Sequence, residues 1–278
     1  GCLLPEVSWF GTNVSEMILP NTWPEPTYFK GTCLSFASDW SSTNYGHFLL
    51  DSVPRVNLAR QAELDWSEID YIYCPSSNPA RAAEWLDRFG VPLAKADFAP
   101  MAPNQSRRFD RLLVTTFPGA RRNYPTWTVD FLRSALKPAA STSRRRLYVT
   151  RAGGQRSPKN EDQVVRTVRE FGFEVYDPAT SAEPWKDFGE ATAIIGPHGA
   201  GLTDIVFCRP GTGVLELLPS DHQFPYYCTL ALSGDLRYAY AMCESTVQRA
   251  SHAWGPSPYD FNVDIETLTR GLEWLTED

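Results

Sequence analysis

The chain has 278 residues, 42% of them hydrophobic and 21% charged, which is the make-up of a globular protein with one large or two medium domains. Its net charge of −7 argues against general nucleic-acid binding, and no apolar run reaches the ~18 residues of a membrane-spanning helix. The six cysteines (Cys2, Cys33, Cys74, Cys208, Cys228 and Cys243) form no Cys-x-x-Cys pair, which speaks against zinc and dithiol redox chemistry.

Residues 1–30, rich in Pro and Trp, read as irregular with at most one short strand. Gly31 to Ser38 reads as a strand and Asn44 to Glu63 as a helix interrupted at Pro54. Strands follow at Ile69 to Cys74 and Arg111 to Phe117, with helices at Ala80 to Phe89 and Thr126 to Leu136. Lys137 to Ser143 contains no large apolar residue and is the best linker candidate. Beyond it strands are expected at Leu147 to Thr150, Phe173 to Tyr176, Ala193 to Ile195, Val214 to Leu218 and Leu236 to Ala241. The intervening helices are expected at Asn160 to Phe171, Ala182 to Gly189, Leu202 to Cys208 and Tyr226 to Leu232. Ile265, Leu268, Leu272 and Leu275 mark an amphipathic terminal helix. This alternation is the α/β pattern, and two such blocks around a linker suggest two Rossmann-like halves, residues 1–138 and 139–278. The terminal helix could pack back on the first.

Three stretches carry candidate chemistry. In Ala193 to Leu202 an apolar strand runs through Gly196, His198, Gly199, Ala200 and Gly201 into a helix. Glycines let backbone N–H groups approach a ligand, and a helix start favours an anion, so this is a phosphate-site candidate; the alternative is a tight strand–helix turn. Arg151 to Glu161 holds Arg151, Arg156 and Lys159 around two glycines after a strand, where arginine can fork onto phosphate. A solvated basic loop is the alternative. In a helix at 100° per residue, Asn44, His47, Asp51 and Arg55 share one stripe. His47 and Asp51, at i and i+4, suit acid/base chemistry, the alternative being a salt-bridged solvent face. Glu216, the one charge in a strand of apolar residues, could bind ribose hydroxyls or pair with an arginine. The four histidines are scattered, so no metal site is expected. Nine Trp residues would suit a sugar face if exposed, or a core if not.

Together these stretches resemble glycosyltransferase family 61. The Asn-x-x-His-x-x-x-Asp pattern is matched by Asn44, His47 and Asp51, and Tyr-x-x-Arg with a downstream Asn-Glu by Tyr148, Arg151, Asn160 and Glu161. Gly-Pro-His-Gly-Ala-Gly-Leu is matched by Gly196 to Leu202, followed by Phe207, Pro210, Gly211, Glu216 and Leu217. The likeness covers roughly residues 31 to 240. It departs at Thr203-Asp204, where members often carry Asn.

The resemblance implies a GT-B-type α/β fold, two Rossmann-like domains facing across a cleft, the first on the acceptor side and the second binding the nucleotide sugar. It implies an inverting transfer from a nucleotide sugar, usually a UDP-sugar, to a glycan hydroxyl in capsule or other surface polysaccharide synthesis. No cofactor and no essential metal are expected. A catalytically inactive domain of this fold, binding a nucleotide or a glycan, is the alternative. On this reading Arg151, Arg156, Asn160, His198, Gly199, Ala200, Gly201 and Glu216 hold the donor, and Asn44 and Arg55 lie on the acceptor side. Asp51 or His47 takes the acceptor proton, with Asp51 preferred and His47 orienting the acceptor. The partners expected are the nucleotide sugar, the glycan and a membrane-associated protein or further domains, with peripheral elements trimmed from this chain. The absence of a leader and the cysteines in apolar runs point to bacterial cytoplasm, at the inner membrane surface through a partner; a removed leader would instead point to the Golgi or ER lumen.

Overall fold

A computed structural model describes residues 25–38, 40–102, 105–119, 122–136, 144–247 and 257–277. The chain divides into two compact units, residues 1–122 and 123–278. The expected linker at Lys137 to Ser143 lies outside the described residues. Among the described residues no helix is long and apolar enough to cross a membrane.

The first unit holds a four-stranded parallel sheet, with β1 (Thr27–Ser35), β2 (Tyr71–Tyr73), β3 (Ala96–Asp97) and β4 (Arg107–Val114) in the order β3-β2-β1-β4. β1 and β2 bury Cys33, Leu34 and Ile72 completely, as parallel strands covered by helices do. The chain order reverses between β1 and β4, which makes their carboxyl ends the switch point where α/β sheets receive ligands.

The connection from β1 to β2 differs from the single helix expected over Asn44 to Glu63. Asn44 caps a short α1 (Tyr45–His47), its side chain accepting from the Gly46 and His47 amides at 2.8 and 3.4 Å. The next turn, Phe48–Ser52, is a π-turn, closed by Val53 N–H donating to the Phe48 carbonyl at 3.1 Å. Pro54 then caps α2 (Arg55–Gln61), where its missing N–H costs nothing. The π-turn adds a residue to the coil and rotates the residues beyond it. The stripe expected at 100° per residue therefore breaks: Arg55 is fully buried, while His47 stays half-buried. α3 (Pro79–Arg88), capped by Asn78, buries Ala82, Trp85 and Leu86.

The second unit opens with α4 (Thr126–Ser134), which the sequence placed in the first half. Arg133 fixes it here by donating to the carbonyls of Val206, Cys208 and Gly234 at 2.8, 2.6 and 3.1 Å. The sheet comprises β5 (Arg145–Val149), β6 (Glu174–Tyr176), β7 (Ala191–Pro197), β8 (Gly213–Pro219), β9 (Arg237–Ser245) and β10 (Phe261–Asn262), in the order β10-β9-β8-β7-β5-β6. All pairs are parallel except β9 with β10. On one face α5 (Glu161–Glu170) and α8 (Ile265–Thr276) pack Val164, Val168, Leu268, Leu272 and Leu275 against Tyr148, Ile195, Leu215 and Leu217. The terminal helix thus spends its apolar face inside this unit. The alternate strand residues Leu147, Val149, Ile194 and Val214 are also buried, so the sheet is covered on both faces. α6 (Pro184–Glu190), the 3-10 segment Ala200–Phe207 and α7 (Tyr226–Ser233) complete the unit. The helix expected at Leu202 to Cys208 is this tighter 3-10 turn. Among β5 to β9 the order is that of a flavodoxin-like sheet, whose switch point lies between β5 and β7.

Candidate functional site

Each unit gathers polar side chains at its own switch point. In the second unit, Arg151 leaves the end of β5 and His198 the end of β7. Arg151 Nη1 donates to the His198 carbonyl at 3.0 Å, and its Nε to the Gln155 carbonyl at 2.5 Å. The loop is built for this approach. A Cβ on Gly199 would stand 1.5 Å from Arg151 Nη1. Cβ atoms on Gly196 and Gly201 would stand 2.9 and 3.1 Å from the Val149 side chain. The three glycines therefore bring β5 and β7 together, which joins the packing and the ligand readings of this loop.

The other residues of the Arg151 loop are scaffold. Glu161 accepts from Tyr148 Oη at 3.1 Å and Thr150 Oγ1 at 2.6 Å, which fixes the end of β5. Asn160, expected to bind the donor, is committed elsewhere. It occupies the cap position of α5 without capping it. Its Nδ2 donates to the Val263 carbonyl at 2.8 Å and to Gln163 Oε1 at 3.2 Å, and its Oδ1 accepts from the Val263 N–H at 3.0 Å.

Arg156 adopts φ 58° and donates to the Ser257 carbonyl at 2.6 Å. Its Nε is buried with no hydrogen-bond partner among the described residues. Burial, followed by the Arg151 charge, pushes Arg156 down to about 10. Burial also lowers Arg151. Two guanidiniums that repel each other, bonded to neutral carbonyls, are costly to desolvate unless an anion joins them.

His198 is buried, and its Nδ1 meets Glu216 Oε1 on β8. A carboxylate only accepts, so Nδ1 carries the hydrogen and Nε2 is left for a ligand. Glu216 is fully buried and takes Tyr238 Oη on its other oxygen. Of the two expectations for Glu216, the arginine pairing is replaced by these contacts, and both its oxygens orient neighbours. Around His198 stand the rings of His222 (5.0 Å), Tyr227 (5.2 Å), Phe224 and Tyr226 (6.4 Å each). Tyr227 Oη also donates to the Gly199 carbonyl at 2.6 Å.

In the first unit the cluster stands beyond the ends of β1 and β4. Asp51 Oδ2 accepts from His47 Nδ1 at 2.9 Å and from Arg122 Nε at 3.1 Å. Asp51 is 3% exposed; His47, through its unshared Nε2, is the more open partner. Arg122 also lies over the Trp40 ring, 5.4 Å from its centroid, and Trp40 lies 5.4 Å from the His47 ring. Arg55 serves the scaffold instead. It donates to Thr115 Oγ1 at 2.9 Å and to the Ala37 and Thr115 carbonyls at 2.5 Å each, tying the chain after β1 to the chain after β4. Asn44, expected on the acceptor side, uses its side-chain oxygen to cap α1.

Sequence reasoning missed Trp40, Arg122, Tyr227 and Tyr238. Arg151 stands two residues past β5, whereas Arg122 comes eight residues after β4, too far for the same rule to single it out. Among the described residues no group of three or more His, Cys, Asp or Glu could hold a metal ion. A cleft of about 550 Å³ lined by Arg144, Ala191, Thr192, Arg209, Pro210, Gly211 and Thr212 opens at the amino ends of β7 and β8, the opposite end of the sheet from His198.

The family model described as Glycosyltransferase 61 matches residues 45–215, more than half of the chain and inclusive of His47, Asp51, Arg151 and His198. A beta-1,2-xylosyltransferase, RCN11, of Oryza sativa subsp. japonica is 41% identical over 49 residues. That segment is 18% of this chain and 9% of the relative.

Proposed function

The chain belongs to glycosyltransferase family 61, and on that premise we propose that it transfers a sugar from a UDP-sugar to a glycan hydroxyl with inversion and without an essential metal, in surface polysaccharide assembly. The proposal takes the two units as the halves of a GT-B-type enzyme, donor on the second and acceptor on the first.

The observation that carries the donor assignment is the Arg151–His198 bridge across the β5/β7 switch point, with Arg156 beside it. The diphosphate of the donor lies against this pair of guanidiniums and the start of the 3-10 segment at Ala200, whose first N–H groups have no partner within the turn. Fixed positive charge aimed at the departing diphosphate supplies what a bound cation would. His198 Nε2, its ring held by Glu216, contacts the same group.

The acceptor hydroxyl oxygen attacks the anomeric carbon as the bond from that carbon to the diphosphate oxygen breaks. The electron pair leaves with the diphosphate, and the hydroxyl proton passes to His47 Nε2. A single displacement inverts the anomeric centre. Our reading gives the base to His47 and its orientation to Asp51, the reverse of the preference drawn from the sequence, and is supported by the burial of Asp51 and by its Oδ2 accepting from both His47 and Arg122.

A thermal-shift panel of UDP, GDP, CMP, ADP and UDP-sugars, each with magnesium and with EDTA, tests the reading. A ligand at about 100 times its Kd stabilises by about 2.7 kcal/mol. A UDP-selective shift that persists in EDTA and disappears in Arg151→Ala is expected. A shift that requires magnesium, or that survives Arg151→Ala unchanged, overturns the donor assignment.

A further inference from the structure

The loop that carries Arg151 and Arg156 is held from outside by residues 257–261, and it is held in two ways. Phe261 and Asp260 grip its backbone. The Phe261 carbonyl accepts from the Lys159 N–H at 2.8 Å, and the Phe261 N–H donates to the Ser157 carbonyl at 3.2 Å. Asp260 Oδ1 accepts from the Ser157 N–H at 3.0 Å. Ser257, which is fully buried, bonds side chains instead. Its carbonyl accepts from Arg156 Nη1 at 2.6 Å, its N–H donates to His222 Nδ1 at 3.1 Å, and its Oγ donates to Asp221 Oδ2. Arg156 belongs to the chain after β5, Asp221 and His222 to the chain after β8. One buried serine thus joins two loops at the carboxyl end of the same sheet.

The direction of each contact tells what is fixed and what is aimed. Asp221 is itself tethered, since its other oxygen takes Ser245 Oγ at the end of β9. The His222 ring packs edge-on against His198, centroids 5.0 Å apart. Asp221 and His222 therefore pin Ser257 to the sheet, and the Tyr259 N–H adds a bond to its Oγ at 3.2 Å. The Ser257 carbonyl then draws Arg156 Nη1 to one side. Arg156 sits at φ 58°, a backbone region that bulky residues seldom adopt. This pose leaves its Nε buried with no hydrogen-bond partner among the described residues. A guanidinium N–H desolvated without an acceptor is costly, and an oxyanion beside Arg151 relieves that cost.

We propose that Ser257 is a positioning residue of the donor site: pinned by Asp221 and His222, it turns Arg156 so that Nε faces the diphosphate. This rests on the transferase reading and adds to it the residue that sets the second arginine. Phe261 and Asp260 hold the loop backbone without Ser257, so loss of the hydroxyl disturbs the aim of Arg156 and spares the fold.

Isothermal titration of UDP, and separately of inorganic pyrophosphate, into the full chain tests this. Arg156→Ala should weaken UDP binding about 30-fold and Ser257→Ala about five-fold, both with a cooperative unfolding transition. Added to Arg156→Ala, Ser257→Ala should cost less than about two-fold more, because Ser257 acts through that guanidinium. Ser257→Cys, similar in size and a weak donor, should behave as Ser257→Ala does and replaces it if the alanine variant does not fold. Ser257→Ala binding UDP as wild type does, or keeping its whole loss in the Arg156→Ala background, overturns the positioning role and leaves the UDP reading standing. Wild type that binds pyrophosphate but no UDP, with the same coupling between Ser257 and Arg156, keeps the positioning role and overturns the transferase reading. Wild type that binds neither overturns both.

Discussion

Arg151 and His198 lie 47 residues apart in sequence and meet at 3.0 Å, guanidinium to carbonyl, where the chain order of the second sheet reverses. The contact exists because Gly199 has no side chain. It leaves Arg151 beside a second desolvated arginine, with Nε2 of His198 available on the same rim.

Gly199→Ala should therefore mimic Arg151→Ala. The added methyl occupies the space of Nη1, so the guanidinium must swing away from the loop. Both variants should lose the nucleotide-induced thermal shift. Arg151→Lys should restore little of it, since an ammonium cannot fork onto two oxygens. A full shift in Gly199→Ala would show that Arg151 does not act from the position seen.

His47→Ala and Asp51→Asn should each lower kcat by about 10²- to 10³-fold with a smaller effect on donor KM, and the double variant should be little worse than either. Non-additivity is the informative result, because two groups that act as one dyad can be removed only once. If Asp51→Asn were far more damaging than His47→Ala, the base would be Asp51.

Glu216→Ala strands the buried His198 Nδ1 and Tyr238 Oη together, and should cost roughly 2–4 kcal/mol in urea unfolding. Tyr238→Phe should cost about 1 kcal/mol and keep the nucleotide shift, because the second Glu216 oxygen still holds His198. Loss of nucleotide binding in Tyr238→Phe would place Tyr238 itself on the donor.

Arg55→Ala tests a structural role. The fully buried guanidinium holds the chain after β1 to the chain after β4. Its removal leaves two carbonyls without their donor and opens a cavity, at about 3 kcal/mol or more. The unfolding midpoint should drop accordingly. An unaltered midpoint with weaker acceptor binding would return Arg55 to the acceptor side.

The buried thiols set a pH limit on stability. Burial lifts Cys33 to about 11 and Cys74 and Cys243 to about 12, from an ordinary value of 9.0. Above about pH 9 the unfolded chain loses these protons while the folded chain keeps them, so stability falls as pH rises towards the folded values. Urea midpoints at pH 8 and pH 10 check this: the Cys74→Ala variant should show a shallower fall than wild type, and an equal fall would sink the assignment.

The α/β class, nearly every strand and helix, and the positions of the glycine loop and the arginine loop are legible in the sequence. These are local properties: a run of apolar residues, a glycine where strand turns to helix, an arginine after a strand. His47 and Asp51 are legible as a pair too, because i and i+4 are neighbours on any helical turn. What each polar residue touches depends on the tertiary structure. Glu216 faces His198 because β7 and β8 pair with Gly196 opposite Glu216. Asn160 is spent on Val263, 103 residues away. Arg55 went inward because a π-turn before Pro54 reset the helical phase. Trp40 and Arg122 came to His47 and Asp51 from loops after two strands that lie side by side although distant in sequence. Periodicity carries information over a few residues. Pairing between distant residues depends on strand order and register, which are fixed by the collective packing of the core.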